Sequence, residues 1–156
     1  MSQPEKLIST MEKLLKLHKS LYELAVKKTE IVKKGDMEAL NFTLKDEQAH
    51  LAAINQLEQA RQQLAKAIAP EAEQPSISDC LKAVEGENWV KLDRLRSELL
   101  DVIGQIRQQN DLNQKMIYQS LQFVNLTLNL VAPQPEEFNY GSASKPASTA
   151  LFNRKA

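Results

Sequence analysis

Apolar residues recur every three or four positions through most of the chain, which is the period of an α-helix packed along one side. The first such stretch predicts a helix over residues 4–34, with Ser2 as its N-cap and Gly35 just after its last turn. A second stretch predicts a helix over residues 37–69, with Asp36 as its N-cap. Because only two residues separate these helices, they are expected to form an antiparallel hairpin.

The third apolar pattern predicts the longest helix, over residues 88–131 with Asn88 as its N-cap, after a loop and a short helix at about 77–85. An ordinary surface helix carries one apolar stripe, but the end of this helix carries two. The 117–131 stripe consists of Ile117, Leu121, Val124, Leu128 and Val131. The 112–130 stripe consists of Leu112, Met116, Phe123, Leu126 and Leu130. Two stripes on one helix have to be covered from two sides.

The relative lengths of the helices predict where the surplus apolar surface lies. The third helix has about 43 residues against about 30 to 33 for each of the others, so it is expected to extend beyond them by roughly 15 Å. The excess falls after about Leu121, and exposed apolar patches usually mark interaction surfaces. We therefore predict that a partner protein docks there, with the 117–131 stripe lining the groove and the 112–130 stripe facing the bundle. Sequence alone leaves the two stripes interchangeable, and a third helix that starts lower, or a dimer that covers the excess, stays open.

Composition agrees with an all-α protein. The chain has 156 residues, enough for one domain with its own core, and only 4 glycines and 6 prolines. The expected fold is an antiparallel helical hairpin plus a longer third helix, which together form an elongated, coiled-coil-like three-helix bundle over residues 1–135. Residues 136–156, rich in Ser, Ala, Asn and Pro, are expected to be a disordered tail.

Charge and apolar runs limit the kinds of partner. The 20 basic and 20 acidic residues cancel, so neither nucleic acid nor an anionic membrane surface is indicated as a partner. No apolar run approaches the roughly 18 residues that span a bilayer, and no secretory signal is visible at the start. We expect a cytoplasmic protein without stable membrane insertion, and its single cysteine fits a reducing compartment.

The chain shows no sequence pattern typical of an enzyme. A glycine-rich phosphate loop, a Ser/His/Asp set, paired catalytic carboxylates and metal-ligand spacing are all missing from the sequence, so no catalytic residue, cofactor or metal is expected. His18 is expected to be packed and hydrogen-bonded, and Cys80 to be a small buried residue. Asn110 and Asn113 occupy positions where an apolar seam is expected. A buried Asn fixes helix register at a cost in stability, and a binding role is the alternative.

Several short segments resemble the FlgN-like flagellar export chaperones. In the third helix these are the segment from Asn110 to Asn113, the Met116-Ile117 pair and Ser120-Leu121. Beyond it, the helix end at Pro133 is followed by Tyr140-Gly141. The Gly35-Asp36 connection and the spacing of the leucines in the first hairpin also agree with that family. The resemblance covers about residues 5–141.

The resemblance implies a cytoplasmic, ATP-independent chaperone for the hook-associated proteins FlgK and FlgL, which form the hook-filament junction. Such a chaperone binds the amphipathic C-terminal segment of its client, prevents premature assembly and hands the client to the export gate, whose receptor is the cytoplasmic domain of FlhA. Asn110 and Asn113 join the 117–131 stripe as candidate client-binding residues, and Tyr140 and Gly141 are the candidate gate-binding residues. A homodimeric coiled-coil scaffold, or a regulator that sequesters another helical factor, is the alternative function, so self-association stays open.

Overall fold

The computed structural model describes residues 1–131, apart from the side chains of Phe123, Val124, Thr127 and Val131. Within that range the helices are α1 Gln3–Lys34, α2 Met37–Ile68, α3 Ile77–Leu81 and α4 Gly86–Val131. The all-α class is confirmed, and the three long helices agree with their predicted ranges to within two residues. The predicted tail, residues 136–156, lies outside the described residues.

The two residues that connect α1 to α2, Gly35 and Asp36, end the first helix and begin the second. Gly35 has a positive φ of 69°, which closes the last turn of α1, and its N–H donates to the carbonyl of Val32 (3.1 Å). The next N–H, that of Asp36, donates to the carbonyl of Ile31 (3.3 Å). The Asp36 carboxylate then accepts a hydrogen bond from the N–H of Ala39 (3.1 Å), so both predicted caps are confirmed.

α3 is shorter than the sequence predicted, and α4 begins earlier. Ser76 Oγ accepts a hydrogen bond from the Asp79 N–H (3.2 Å) and Asp79 Oδ2 accepts one from the Ser76 N–H (2.9 Å), which forms a capping box at the start of α3. The helix ends at Leu81 because the next N–H groups donate to carbonyls three residues earlier, which tightens the chain into a turn. α4 begins at Gly86, which has a positive φ of 67°. Asn88 therefore lies inside the first turn, and the prediction that it is the N-cap is wrong.

α1 is the central helix of the bundle, because it packs against both α2 and α4. The short hairpin turn makes α1 and α2 antiparallel. Thr29 hydrogen-bonds to Gln109 and Asn113, while Leu7 and Leu92 share the core nearer the start of both helices, so α1 and α4 run parallel. α3 packs against α4 and α2. The predicted three-helix bundle is therefore confirmed.

The apolar core fills the end of the bundle that is remote from the hairpin turn. Leu7 and Leu14 of α1 and Leu92 of α4 are at most 1% exposed. α3 closes this end with Ile77 and Cys80, and the predicted burial of the cysteine is confirmed. At the hairpin end the buried side chains other than Ala25 are polar: Lys28, Thr29, Thr43 and Asn113.

Candidate functional site

α4 extends well beyond the α1–α2 hairpin. Thr29 lies beside Asn113, 84 positions later in the chain, and by the same offset Lys34 at the end of α1 is level with about Tyr118. Residues 119–131, which we call the overhang, therefore project past the hairpin by about 20 Å. Its exposed leucines are Leu121 (53%), Leu126 (59%), Leu128 (52%) and Leu130 (78%). The structure agrees with the predicted exposure of the helix end.

One side of α4 continues from the packed core onto the overhang. Leu95, Ile106, Ile117 and Leu128 are each 11 residues apart, which is close to three full turns, so they lie on one side of the helix. Along this series the exposed fraction rises from 4% at Leu95 and 7% at Ile106, through a half-buried Ile117, to 52% at Leu128. The described members of the 117–131 stripe, Ile117, Leu121 and Leu128, therefore continue the side that packs against α1. They lose their cover toward the helix end because α1 ends first.

Leu112, which was predicted to face the bundle as part of the 112–130 stripe, does not face it, whereas Met116 of the same stripe is half-buried. Leu112 is 45% exposed although α1 lies alongside, and Leu126 and Leu130 are more exposed still. Leu112 directly precedes the buried Asn113, and one residue turns an α-helix by about 100°. That rotation places Leu112 on the flank of the packed side, and the same helical spacing places Leu126 and Leu130 there as well.

Asn113 is part of the contact between α1 and α4. It is only 2% exposed, and its Nδ2 donates to the carbonyl of Ala25 (2.9 Å). The Thr29 hydroxyl donates to Asn113 Oδ1 and accepts from Gln109 Nε2 (2.6 Å). These directional bonds form only at one alignment of the two helices. The structure therefore favours the register role of Asn113, and its client-binding role stays a prediction.

The Asn110 side chain also lies inside the bundle, next to α1 and α2, and is not on the overhang. It is half-buried and lines a small cavity of about 30 Å³ between the three long helices. The other lining residues are Leu21, Ala25, Glu47, Leu51 and Ile106. The structure thus brings Asn110 and Asn113 together within the bundle and leaves Leu121 and Leu128 beyond it.

An ion pair that the sequence analysis did not identify links α1 to α2 at the same level. Lys28 Nζ lies 3.2 Å from Glu47 Oε2, with side chains only 7% and 14% exposed. Nearby, Ser20 Oγ lies 2.8 Å from His50 Nε2. A lysine at a seam position of α1 and a glutamate that interrupts the apolar face of α2 are the sequence signals of the pair, but only the hairpin register brings them together.

The other chemically reactive side chains have structural roles. His18 is half-buried with Nδ1 2.7 Å from the carbonyl oxygen of Leu14, which confirms the prediction. Burial raises the pKa of the Cys80 thiol, so the thiolate that a nucleophile requires is disfavoured. Within residues 1–131 no three His, Cys, Asp or Glu side chains are placed to hold a metal ion. No helix in the described part of the chain is both long and apolar enough to cross a membrane.

Four predicted site residues fall outside the described part of the molecule. They are Tyr140 and Gly141, the candidate gate-binding residues, and the side chains of Val124 and Val131 in the 117–131 stripe. The described part of the predicted client groove is therefore Ile117, Leu121 and Leu128.

The chain is similar to known proteins over almost its entire length. The family model described as FlgN protein matches residues 1–148. The Bacillus subtilis (strain 168) protein named "Uncharacterized protein YvyG" is 30% identical over 155 residues, which cover 96% of this chain and 97% of that protein. No solved structure matches the chain significantly.

Proposed function

The chain belongs to the FlgN family, and from that membership we propose that it is a cytoplasmic chaperone of flagellar type III export. It binds the amphipathic C-terminal segment of FlgK-like and FlgL-like hook-associated proteins and prevents their premature assembly. It then hands them to the export gate through the cytoplasmic domain of FlhA. The role is one of binding and release and involves no catalysis.

The observation that carries this proposal is the uncovered apolar side of the overhang. Leu121 and Leu128 are each about half exposed on the side of α4 that packs against α1 lower down. Burying a leucine side chain fully contributes roughly 1.5–3 kcal/mol. An amphipathic client helix has apolar residues at the same spacing of three and four, so it fits this surface as a helix fits a groove.

The size of the surface suits a client that has to be released. A client segment that is unfolded before docking loses conformational entropy when it binds, so its affinity per unit area is modest. Modest affinity allows transfer at the gate without ATP. The same contacts cover the client's apolar residues until transfer, which prevents them from assembling early.

The test removes the two leucines and measures binding to a peptide with the C-terminal sequence of a hook-associated protein. For Leu121→Ala/Leu128→Ala we expect affinity to fall by at least about tenfold, with a circular dichroism spectrum like that of the wild type. The matched control is Val90→Ala/Leu100→Ala, which shortens two side chains that are 60% and 58% exposed in the first third of α4. Equal binding by the two variants would contradict the client site, and a melted first variant would mean that the stripe is core.

Self-association is the rival explanation of the same exposed leucines, and light scattering separates the two. A monomer that becomes a one-to-one complex with the client peptide supports the chaperone. An obligate dimer that does not respond to the peptide supports a homodimeric scaffold or a sequestering regulator.

The gate contact is proposed for Tyr140 and Gly141, on the resemblance of Tyr140-Gly141 to the family motif. A chain truncated before Glu136 should bind the client peptide as the full chain does but lose binding to the FlhA cytoplasmic domain. Tyr140→Ala should reproduce the loss at the gate alone. Loss of client binding on truncation would contradict this division of roles.

A further inference from the structure

The side of α2 that faces α4 also continues to the tip of the hairpin. Met37, Leu44 and Leu51 are each seven residues apart, which keeps them on one side of α2. Leu51 lines the small cavity together with Asn110 and Ile106 of α4. Met37 therefore lies on the side of α2 that faces α4.

Met37 is 64% exposed, whereas Leu44 and Leu51 are half-buried. The reason is its position, because α2 begins at Met37 directly after the hairpin turn. The tip of the hairpin is also the level at which the overhang begins. The side of α2 and the side of α4 that line one cavity inside the bundle both reach this level, and beyond it no part of α1 or α2 covers them.

We call the apolar residues at this level the notch: Met37, 64% exposed at the start of α2, and Ile117, Leu121 and Leu128, which follow one another along α4. The three α4 residues are its wall. The wall is the continuation of an interface that α1 covers lower down, so its spacing already fits an α-helix laid alongside α4.

We propose that the client segment docks in this notch as a helix in line with the α1–α2 hairpin, in the place that a longer hairpin would occupy. This inference rests on the proposed function and specifies where the client lies. The overhang of about 20 Å accommodates three to four turns of client helix. The client packs against the 117–131 stripe and rests on Met37, while the flank with Leu126 and Leu130 stays in water.

A second copy of this chain fits the notch less well than a client helix. A face about 20 Å long and one helix wide offers on the order of 400 Å² per copy, about half of what each partner buries in a stable complex. So small an interface does not hold a stable homodimer. It is adequate for a client that binds and leaves.

The decisive experiment lengthens the hairpin so that it fills the notch. One heptad is added to each arm by duplicating residues 26–32 and residues 40–46, which raises the tip by about 10 Å. The expected result is a protein at least as resistant to heat as the wild type, with client-peptide affinity reduced at least about tenfold. The matched control has a flexible Gly-Ser segment of the same total length after Gly35, and it should bind as the wild type does.

Cross-linking tests the same position without altering the fold. Met37→Cys carrying a benzophenone should cross-link to the client peptide, whereas Val90→Cys, 60% exposed at the other end of α4, should not. The native Cys80 is fully buried, so labelling is confined to the introduced thiol. The same labelling carried out on Met37→Cys/Cys80→Ala, which lacks the native thiol, checks that Cys80 is not labelled.

The outcomes separate this inference from the proposed function. A wild-type chain that binds no client peptide would end the proposed function. If the wild type binds and the folded long-hairpin variant binds equally well, the in-line position is wrong and the function stands. If the client peptide cross-links to Val90→Cys as strongly as to Met37→Cys, the in-line position is likewise wrong.

Discussion

The two halves of α1 have the same length and helical form but bury opposite kinds of side chain. Near its start, Leu7 and Leu14 are enclosed by apolar residues of α2, α3 and α4. Near the hairpin, Lys28 is paired with Glu47, and Thr29 is hydrogen-bonded across to α4. We call the half of α1 with Leu7 and Leu14 the dry half and the half with Lys28 and Thr29 the polar half. The dry half stabilises the bundle, and the polar half determines how its helices are aligned.

This difference follows from the directionality of the two interactions. Apolar burial contributes roughly 1.5–3 kcal/mol per large side chain and depends little on orientation. A buried hydrogen bond contributes a net 0.5–1.5 kcal/mol or so, but it is lost when its partners move apart. A shift of α4 by one turn, about 5.4 Å, would unpair Asn113 and change which leucines lie beyond the hairpin. The polar half therefore also sets the length of the overhang.

The largest effect is expected in the dry half. Leu14→Ala should reduce the free energy of unfolding by about 2–5 kcal/mol, because it leaves a cavity in a close-packed core. Urea denaturation measures the loss. Leu100→Ala removes the same atoms from a side chain that is 58% exposed and should change stability by less than about 0.5 kcal/mol. Equal losses would contradict the contrast between core and surface.

In the polar half the cost should be smaller and shared between partners. Asn113→Ala removes the bond from Asn113 Nδ2 to the Ala25 carbonyl and the bond from the Thr29 hydroxyl to Asn113 Oδ1, and leaves only Gln109 bonded to Thr29 from α4. The loss should cost about 1–3 kcal/mol. Thr29→Val/Asn113→Ala should cost less than the sum of the single changes, because each single change already breaks the bond between these two side chains. Strict additivity in a double-mutant cycle would show that the two side chains are not coupled.

A smaller, pH-dependent effect is expected at the cap of α3, which closes the dry half. Hydrogen bonds from the Ser76 N–H and hydroxyl lower the pKa of Asp79. A carboxyl whose pKa is lower in the folded state stabilises the fold above its unfolded pKa, and the effect is lost as the pH falls through the folded value. Wild type should therefore unfold at higher urea than Asp79→Asn near neutral pH, and the gap should close below about pH 4. Glu73→Gln, which replaces a carboxylate by its amide in the loop before α3 in the same way, is the control.

The smallest effect on stability is expected on the overhang. Leu121→Ala/Leu128→Ala should change the free energy of unfolding by less than about 0.5 kcal/mol, since both side chains are about half exposed and lie past the hairpin. The same variant is the one expected to lose the client peptide. A loss of stability comparable to that of Leu14→Ala would place these leucines in the core and remove the basis for docking.

Local signals in the sequence predicted the long helices and most of their ends. Gly35 and Asp36 act within one turn of their own position, so the hairpin follows from them directly. The limits of α3 and the start of α4 were less well predicted, because Gly86 supplies a positive φ and the turn before it tightens. Several neighbouring residues, including Asn88, are chemically able to cap a helix at this point.

The sequence by itself determined the helices, the surplus length of the third one and the double apolar character of its end, because these depend on spacing along one chain. Only the tertiary structure decided which stripe continues the packed side, that Asn113 bonds to α1, and that Lys28 meets Glu47. Each of these depends on the rotation and axial alignment of one helix against another. Contacts between residues far apart in sequence set that alignment, and the periodicity of a single helix does not contain it.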